Sequence, residues 1–321
     1  MEEFQYLIPE ESSDAIITNV ASLREMEGHL REIFTKAKYQ EVLLPSFEYV
    51  DLYYNMDIGI DEEKMFQFIN HEGKRIALRA DFTLPLARLY VTSNKNEVQR
   101  YCYFGKVYRK EKKHKGRTNE FYQGGIELIG KGGLTGEKEC MEIIQQSISY
   151  LGLKSLKLVI GSAKFYKRIC QLVDDPLITK ILKVRSFSMM KELIERKQID
   201  GYLKELLMMI PQGIGDIQMI KNVSSKVEDE VLKQSLVELE LLYENLENQD
   251  LYFDLAMVPS MKYYTGMMMK GYSPYSAQPI VTGGRYDHLM HHFHKNVPAI
   301  GFSYDFHHIL HALEMEEETH D

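Results

Sequence analysis

No run of the sequence approaches the ~18 consecutive apolar residues that a membrane-spanning helix requires, so no transmembrane segment is expected. Cysteine is scarce. Cys102, Cys140 and Cys170 are odd in number and lack the paired spacing of a metal site, which points to reduced thiols and a cytoplasmic location. Positive charge is in the minority: 39 lysines and arginines face 47 aspartates and glutamates, a formal net charge of −8. A dedicated nucleic-acid binder carries the opposite balance. The start, Met1-Glu2-Glu3-Phe4, is acidic where a secretory signal would be basic and then apolar. Repeats and low-complexity tracts are also missing. What is present is 44% hydrophobic and 27% charged residues over 321 positions, which excludes a disordered chain and leaves ample material for a core. That length allows two domains of ~100–200 residues or one large domain with an insertion.

Along the chain, Leu23, Met26, Leu30, Ile33, Phe34 and Ala37 recur at helical spacing, with Asp14 or Ser13 as candidate caps. Glu41-Val42-Leu43-Leu44-Pro45 is a short apolar run stopped by proline, and Phe47 to Tyr54 reads as a second helix. Met65–Ile69 and Arg75–Arg79 flank a plausible hairpin connection. Gln99–Tyr108 and Glu120–Ile129 form a long hairpin with a basic tip. Glu137–Leu151 is helical by period and Leu156–Ile160 strand-like. Residues 165–250 are rich in Leu, Ile, Met, Lys and Glu and predict a helical insertion between core segments 1–164 and 251–321. Val297–Phe302 is a final apolar strand, followed by a helix through Phe306, Ile309, Leu310 and Leu313. The acidic tail from Glu314 to Asp321 reads as frayed.

Four segments carry more than packing. The stretch from Leu78 to Arg88 ends a strand and opens a helix with an acid, a hydroxyl and a cation at Asp81, Thr83 and Arg88. Such a carboxylate can fix an ammonium group through a charge-assisted bond; equally, Asp81 and Thr83 can cap the helix. The second places seven cations between Lys106 and Arg117, of which Arg109 and Arg117 have the planar fork suited to an anion, the lysines fitting a solvated tip. Gln123 and Glu127 follow four apart on a strand and share one face. The third and fourth, Lys262-Tyr263-Tyr264-Thr265-Gly266 and Gly283-Gly284-Arg285-Tyr286-Asp287, set tyrosines beside glycines, as a flat wall with hydroxyls at its rim or as core. The histidine pairs near residues 291 and 307 lack acid partners, so no metal and no cofactor are expected.

In this order the segments resemble a class II aminoacyl-tRNA synthetase core of the histidyl type: an α+β fold, an antiparallel sheet flanked by helices. Pro45 resembles the proline of the class's dimer-forming first motif, Tyr108–Gln123 the second, and Val297–Phe302 with its helix the third. The tyrosine-bearing segments match histidyl-specific words. The resemblance implies a histidine pocket built from Asp81, Thr83, Arg109, Gln123, Glu127, Tyr263, Tyr264 and Tyr286, with Arg117 as a further anion contact.

The parts that use ATP in that family depart from the pattern. Pro259 stands where an arginine precedes the double tyrosine, Asp305 where the third motif has glycine, and His308 where it has arginine. Losing one preorganised charge at a developing oxyanion typically costs ~10²–10³ in rate. A histidyl synthetase also carries an anticodon-reading domain of ~100 residues, and none is expected here. The sequence is therefore most similar to the regulatory subunits of ATP phosphoribosyltransferase, a family resembling truncated histidyl synthetases, in which the segment from Asp81 to Arg88 has its usual form. That resemblance implies no catalytic residues, a role in feedback at the first step of histidine biosynthesis, and L-histidine as effector. The partners it implies are a short-form catalytic subunit, in a hetero-octamer, and a second copy of the chain, without tRNA or membrane. A divergent ligase that activates an amino acid is the competing expectation, supported by Arg109, Glu111 and Arg117.

Overall fold

A computed structural model of the chain describes residues 17–54, 60, 62–93, 97–110 and 119–318. The first helix, α1 (Ile17–Lys36), buries Met26, Leu30, Ile33 and Phe34, the stripe its spacing predicts. Lys38, at φ 66°, turns the chain into β1 (Gln40–Glu41). The Phe47–Tyr54 segment is not one helix. It divides into strand β2 (Phe47–Tyr49) and one short helix, α2 (Val50–Tyr54). Glu48 explains the division: its side chain is buried and accepts from Arg88 at 2.6 Å, which holds Phe47 and Tyr49 extended on either side. Strands β3 (Gln67–Ile69) and β4 (Arg75–Leu78) form the expected hairpin, and a small sheet runs β2-β4-β3.

After α3 (Thr83–Thr92), the long strands β5 (Gln99–Tyr108) and β6 (Glu120–Ile129) pair antiparallel along their whole length. Helix α4 (Gly133–Leu151) and strand β7 (Lys157–Ser162) follow. The next stretch holds α5 (Ala163–Val173), α6 (Leu177–Val184), α7 (Phe187–Lys197) and α8 (Gly201–Met209). The two-residue strand β8 (Ile214–Gly215) then leads to α9 (Ile217–Ser224) and α10 (Glu230–Asn245). Strands β9 (Leu251–Asp254), β10 (Met267–Tyr272) and β11 (Val281–Arg285), helix α11 (Asp287–His292), strand β12 (Ala299–Asp305) and helix α12 (Phe306–Glu318) complete the chain's described course.

The large sheet has nine strands in the order β1-β5-β6-β12-β11-β10-β7-β9-β8. Among the described residues, only the β1–β5 and β7–β9 pairs of this sheet are parallel. Because side chains alternate across a sheet, Cys102, Phe104, Ile126, Leu128 and Ile160 face one side, packed with α1, α4 and the helices after β7. Tyr101, Tyr103, Val159 and Met268 face the other, packed with α3. Helices α5 to α10 share the first of these cores with the sheet, from Phe165 to Leu242. As far as Glu318 the tail is helical and not frayed, residues 319–321 lying outside the described ones: Glu316 is buried and accepts from the backbone N–H groups of Lys154 and Ser155 at 3.0 and 3.1 Å. A carboxylate with such donors costs little to bury. Among the described residues, no helix is long and apolar enough to cross a membrane.

Candidate functional site

The site lies on the α3 side of the large sheet and begins with the segment joining β4 to α3. Arg79, buried, donates to the carbonyls of Leu44, Pro45 and Lys106, each at 2.8 Å, and stacks over Phe82 at 4.2 Å. Ala80 N–H donates to the Tyr53 hydroxyl at 3.1 Å. These bonds fix the backbone that carries Asp81 and Thr83. Neither residue caps the helix: Phe82 occupies the N-cap position, and no side chain accepts there. The capping reading is therefore set aside.

Thr83 instead donates to Glu127 Oε1 at 2.7 Å, and the Tyr286 hydroxyl donates to Glu127 Oε2. Glu127 stands near the C-terminal end of β6, opposite Gly301 of β12. A Cβ at position 301 would overlap the Glu127 carboxylate, so a glycine is required for the close approach. Asp81 differs. Both of its oxygens are buried and neither has a partner at hydrogen-bond geometry. Buried polar groups in native proteins are nearly always paired, and an orphan calls for an explanation.

Arg109 donates through Nε to Ala80 O at 2.8 Å and lies 6.0 Å from the Phe121 ring. Gln123 shares the Glu127 face of β6. The tyrosine wall comes from two linked segments. Thr265 N–H donates to Arg285 O at 2.7 Å, and Asp287 N–H donates to Thr265 Oγ1 at 3.1 Å. Asp287 also accepts from Arg285 at 2.7 Å and from Ala299 N–H at 2.9 Å. Arg285 and Asp287 thus clasp the loops, while Tyr286 turns into the site. Tyr263 meets Tyr264 and Tyr286 edge to face, at 5.3 and 5.7 Å. Lys167 of α5 holds the Tyr264 carbonyl at 2.5 Å.

Asp81, Thr83, Arg109, Gln123, Glu127, Tyr263, Tyr264 and Tyr286 all line one cleft. Arg117 lies outside the described residues, as do the other cations between positions 111 and 118. Sequence reasoning missed Phe82 and Tyr103, which stack at 4.1 Å on the cleft wall. The signal for Tyr103 was there: two residues from Tyr101 on a strand, it shares the face that β6 turns to the cleft.

Burial dominates the electrostatics. It pushes the Asp81 carboxyl from 3.8 up to about 7, with the Arg109 guanidinium and the Leu84 backbone N–H pulling the other way. It pushes Glu127 from 4.5 up to about 8, against the bonds from Tyr286 and Thr83. Burial also raises the hydroxyls of Tyr103, Tyr263 and Tyr286 well above their ordinary value, so they act as neutral donors and acceptors. At the far edge, Asp305 Oδ1 accepts from the backbone N–H groups of His307 and His308 at 3.1 and 3.3 Å, capping α12. The carboxylate that departs from the synthetase pattern therefore neutralises a helix start of the kind that elsewhere receives phosphate.

The family model for histidyl-tRNA synthetase matches residues 13–309. An ATP phosphoribosyltransferase regulatory subunit from Lactococcus lactis subsp. cremoris (strain SK11) is 43% identical, over 98% of this chain and 99% of that relative. The chain belongs to the family of ATP phosphoribosyltransferase regulatory subunits, on a histidyl-tRNA synthetase-like fold. A member from Bacillus cereus (strain G9842) is 29% identical over 98% of this chain and 77% of its own length. Among solved structures, an ATP phosphoribosyltransferase regulatory subunit/histidyl-tRNA synthetase from Bacillus halodurans matches with a TM-score of 0.88 at 26% identity, covering 97% of this chain and 84% of that one. Apo histidyl-tRNA synthetase from S. aureus shares the fold with a TM-score of 0.64 at 20% identity, covering 97% and 74%. The class II synthetase-like α+β architecture read from the motifs is the architecture the chain has.

Proposed function

We propose that the chain, as a regulatory subunit of ATP phosphoribosyltransferase in histidine biosynthesis, catalyses no step itself and binds L-histidine in the cleft as a feedback effector. It acts by assembly with a separate short-form catalytic subunit, in a hetero-octamer built on dimers of this chain, in the cytoplasm and without tRNA. In the same reading, residues 165–250 are an insertion in a synthetase-like core made of 1–164 and 251–321.

The orphaned Asp81 carboxylate carries the histidine assignment. It sits in a cleft beside the Arg109 guanidinium, an amide at Gln123 and a tyrosine wall. An ammonium group satisfies Asp81, a carboxylate matches Arg109, and a planar polar ring fits between the tyrosines and Glu127. For the absence of ligase chemistry, the support is Pro259 in place of a cation and Asp305 engaged as a helix cap. For the dimer, it is the outer face of the small sheet, where Phe47, Tyr49 and Phe68 are about half exposed, with Leu43 nearby at 87%. Feedback requires histidine to bind two states of the complex unequally, and a coupling of ~1–3 kcal/mol is enough.

The test is co-purification with a short-form catalytic subunit from the same cell, followed by phosphoribosyl transfer assayed with and without histidine. Activity that depends on the complex and falls with histidine is the expected result. Histidine-dependent pyrophosphate exchange into ATP by this chain alone would establish the ligase reading instead.

A further inference from the structure

Two carboxyl groups are sealed in the cleft, and they are not equivalent. Glu127 is engaged on both oxygens, by Thr83 and by Tyr286. Asp81 is engaged on neither. The charged and titratable groups around Asp81 come from every element packed against it. Arg109 lies at the end of β5, Arg79 at the end of β4 and Glu48 on β2. Tyr53 projects from α2, Tyr103 from β5, and Tyr263 and Tyr264 from the loop before β10. The cations there are committed elsewhere: Arg79 to three backbone carbonyls, and Arg109, through Nε, to Ala80 O. A buried carboxylate with no bonded cation, and with only the Leu84 backbone N–H nearby to oppose its burial, is costly, so the unliganded cleft favours the neutral acid.

We propose that the cleft takes up its ammonium-bearing ligand in exchange for a proton, which leaves Asp81 for solvent as the ligand's ammonium arrives. This rests on the histidine reading above. The ligand keeps all three ammonium hydrogens, the Asp81 O–H bond breaks, and buffer accepts the proton, so the ammonium's positive charge takes the place of the proton at Asp81 while the ligand's carboxylate is matched by Arg109. Histidine and protons therefore compete, and acidification weakens the site even where the ligand's own charge is constant. Burial places the relevant range near neutrality, with Asp81 raised to about 7.

The experiment is titration calorimetry of the full chain with L-histidine at pH 6.5 and 7.5, in buffers of different ionisation enthalpy, for the wild type and Asp81→Asn. Free histidine's imidazole contributes equally to both proteins, so the difference isolates Asp81. The expected result is a release from the wild type exceeding that of D81N by roughly half a proton or more at pH 6.5, with the wild-type Kd rising severalfold between pH 7.5 and 6.5. Equal proton counts in the two proteins, with histidine still bound, would overturn the exchange and leave the pocket standing. If D81N does not fold, the wild type decides: no proton release beyond that of free imidazole overturns the exchange. Absence of histidine binding in both the free chain and its complex would overturn the pocket itself, and the exchange with it.

Discussion

Replacing Thr83 with valine tests the cleft more cleanly than deleting a charge. Valine keeps the shape of threonine, so no cavity opens and the helix start, which Thr83 does not cap, is undisturbed. What disappears is the bond of 2.7 Å to Glu127 Oε1, together with the side-chain contact Thr83 makes with the Tyr263 hydroxyl, leaving the Glu127 oxygen buried with no donor. Stranding a buried acceptor costs ~1–3 kcal/mol. Near neutral pH the lower half of that range applies, because Glu127, raised to about 8, is largely protonated. The cost grows above pH 8, where the stranded oxygen carries charge. The denaturation midpoint of T83V should therefore lie below wild type by ~1 kcal/mol at pH 7 and further below at pH 9, with Thr83→Ser restoring most of the loss. Histidine affinity should fall about tenfold, since Glu127 is then held by Tyr286 alone. A T83V protein as stable as wild type at both pH values would show that the Thr83–Glu127 bond is not formed in solution.

Three further outcomes follow. Arg285→Met should destabilise the fold by about 3 kcal/mol, the low end for breaking a buried pair, because Glu137 can take up a proton once its cation is gone; thermal melts at pH 6 and 8 would show a larger loss at the higher pH. Asp81, Glu127 and Glu137 hold protons more tightly folded, at about 7, 8 and 7, than at their ordinary 3.8, 4.5 and 4.5. Between pH ~4.5 and ~8 these three groups bind more protons folded than unfolded, against the opposite shifts of Glu27, Glu139 and Asp229 at the acid end and of His288, so stability of the ligand-free protein should fall most clearly from pH ~7 to ~8, where the raised carboxyls ionise; replacing Asp81 and Glu137 by their amides should flatten that fall, and an unchanged pH profile would contradict the burial of these groups. Phe47→Glu with Phe68→Glu, on rings 6.2 Å apart in the small sheet, should give a monomer by sedimentation while leaving histidine binding within twofold.

Much of this was legible before any coordinates. Helical and strand periodicity placed α1, the β5–β6 hairpin and α4, because each is long enough for one face to declare itself. Phe47–Tyr54 misled because the apolar spacing suits a short helix, while the deciding event is a pairing with β4 about thirty residues away. The acidic tail misled for a similar reason: its charge density suggests solvent, and the two backbone donors that bury Glu316 come from a turn remote in sequence. The cleft residues could be named from the motifs, but not their division of labour. Nothing local distinguishes the engaged Glu127 from the orphaned Asp81; that follows from Gly301, six strands later in sequence but on the neighbouring strand of the sheet, and from which hydroxyls reach which oxygen. In the Gly283–Asp287 segment only Tyr286 turns into the cleft, while Arg285 and Asp287 clasp the loops.

The ammonium of Lys167 grips the main chain of Tyr264 from the first turn and a half of α5. One wall of the cleft is therefore bolted to the start of the helices that end at Asn245, and those helices share their interior with the sheet. A protein that seizes that bundle and twists it has a crank on the tyrosine wall, and a molecule wedged against the wall stiffens the crank in return.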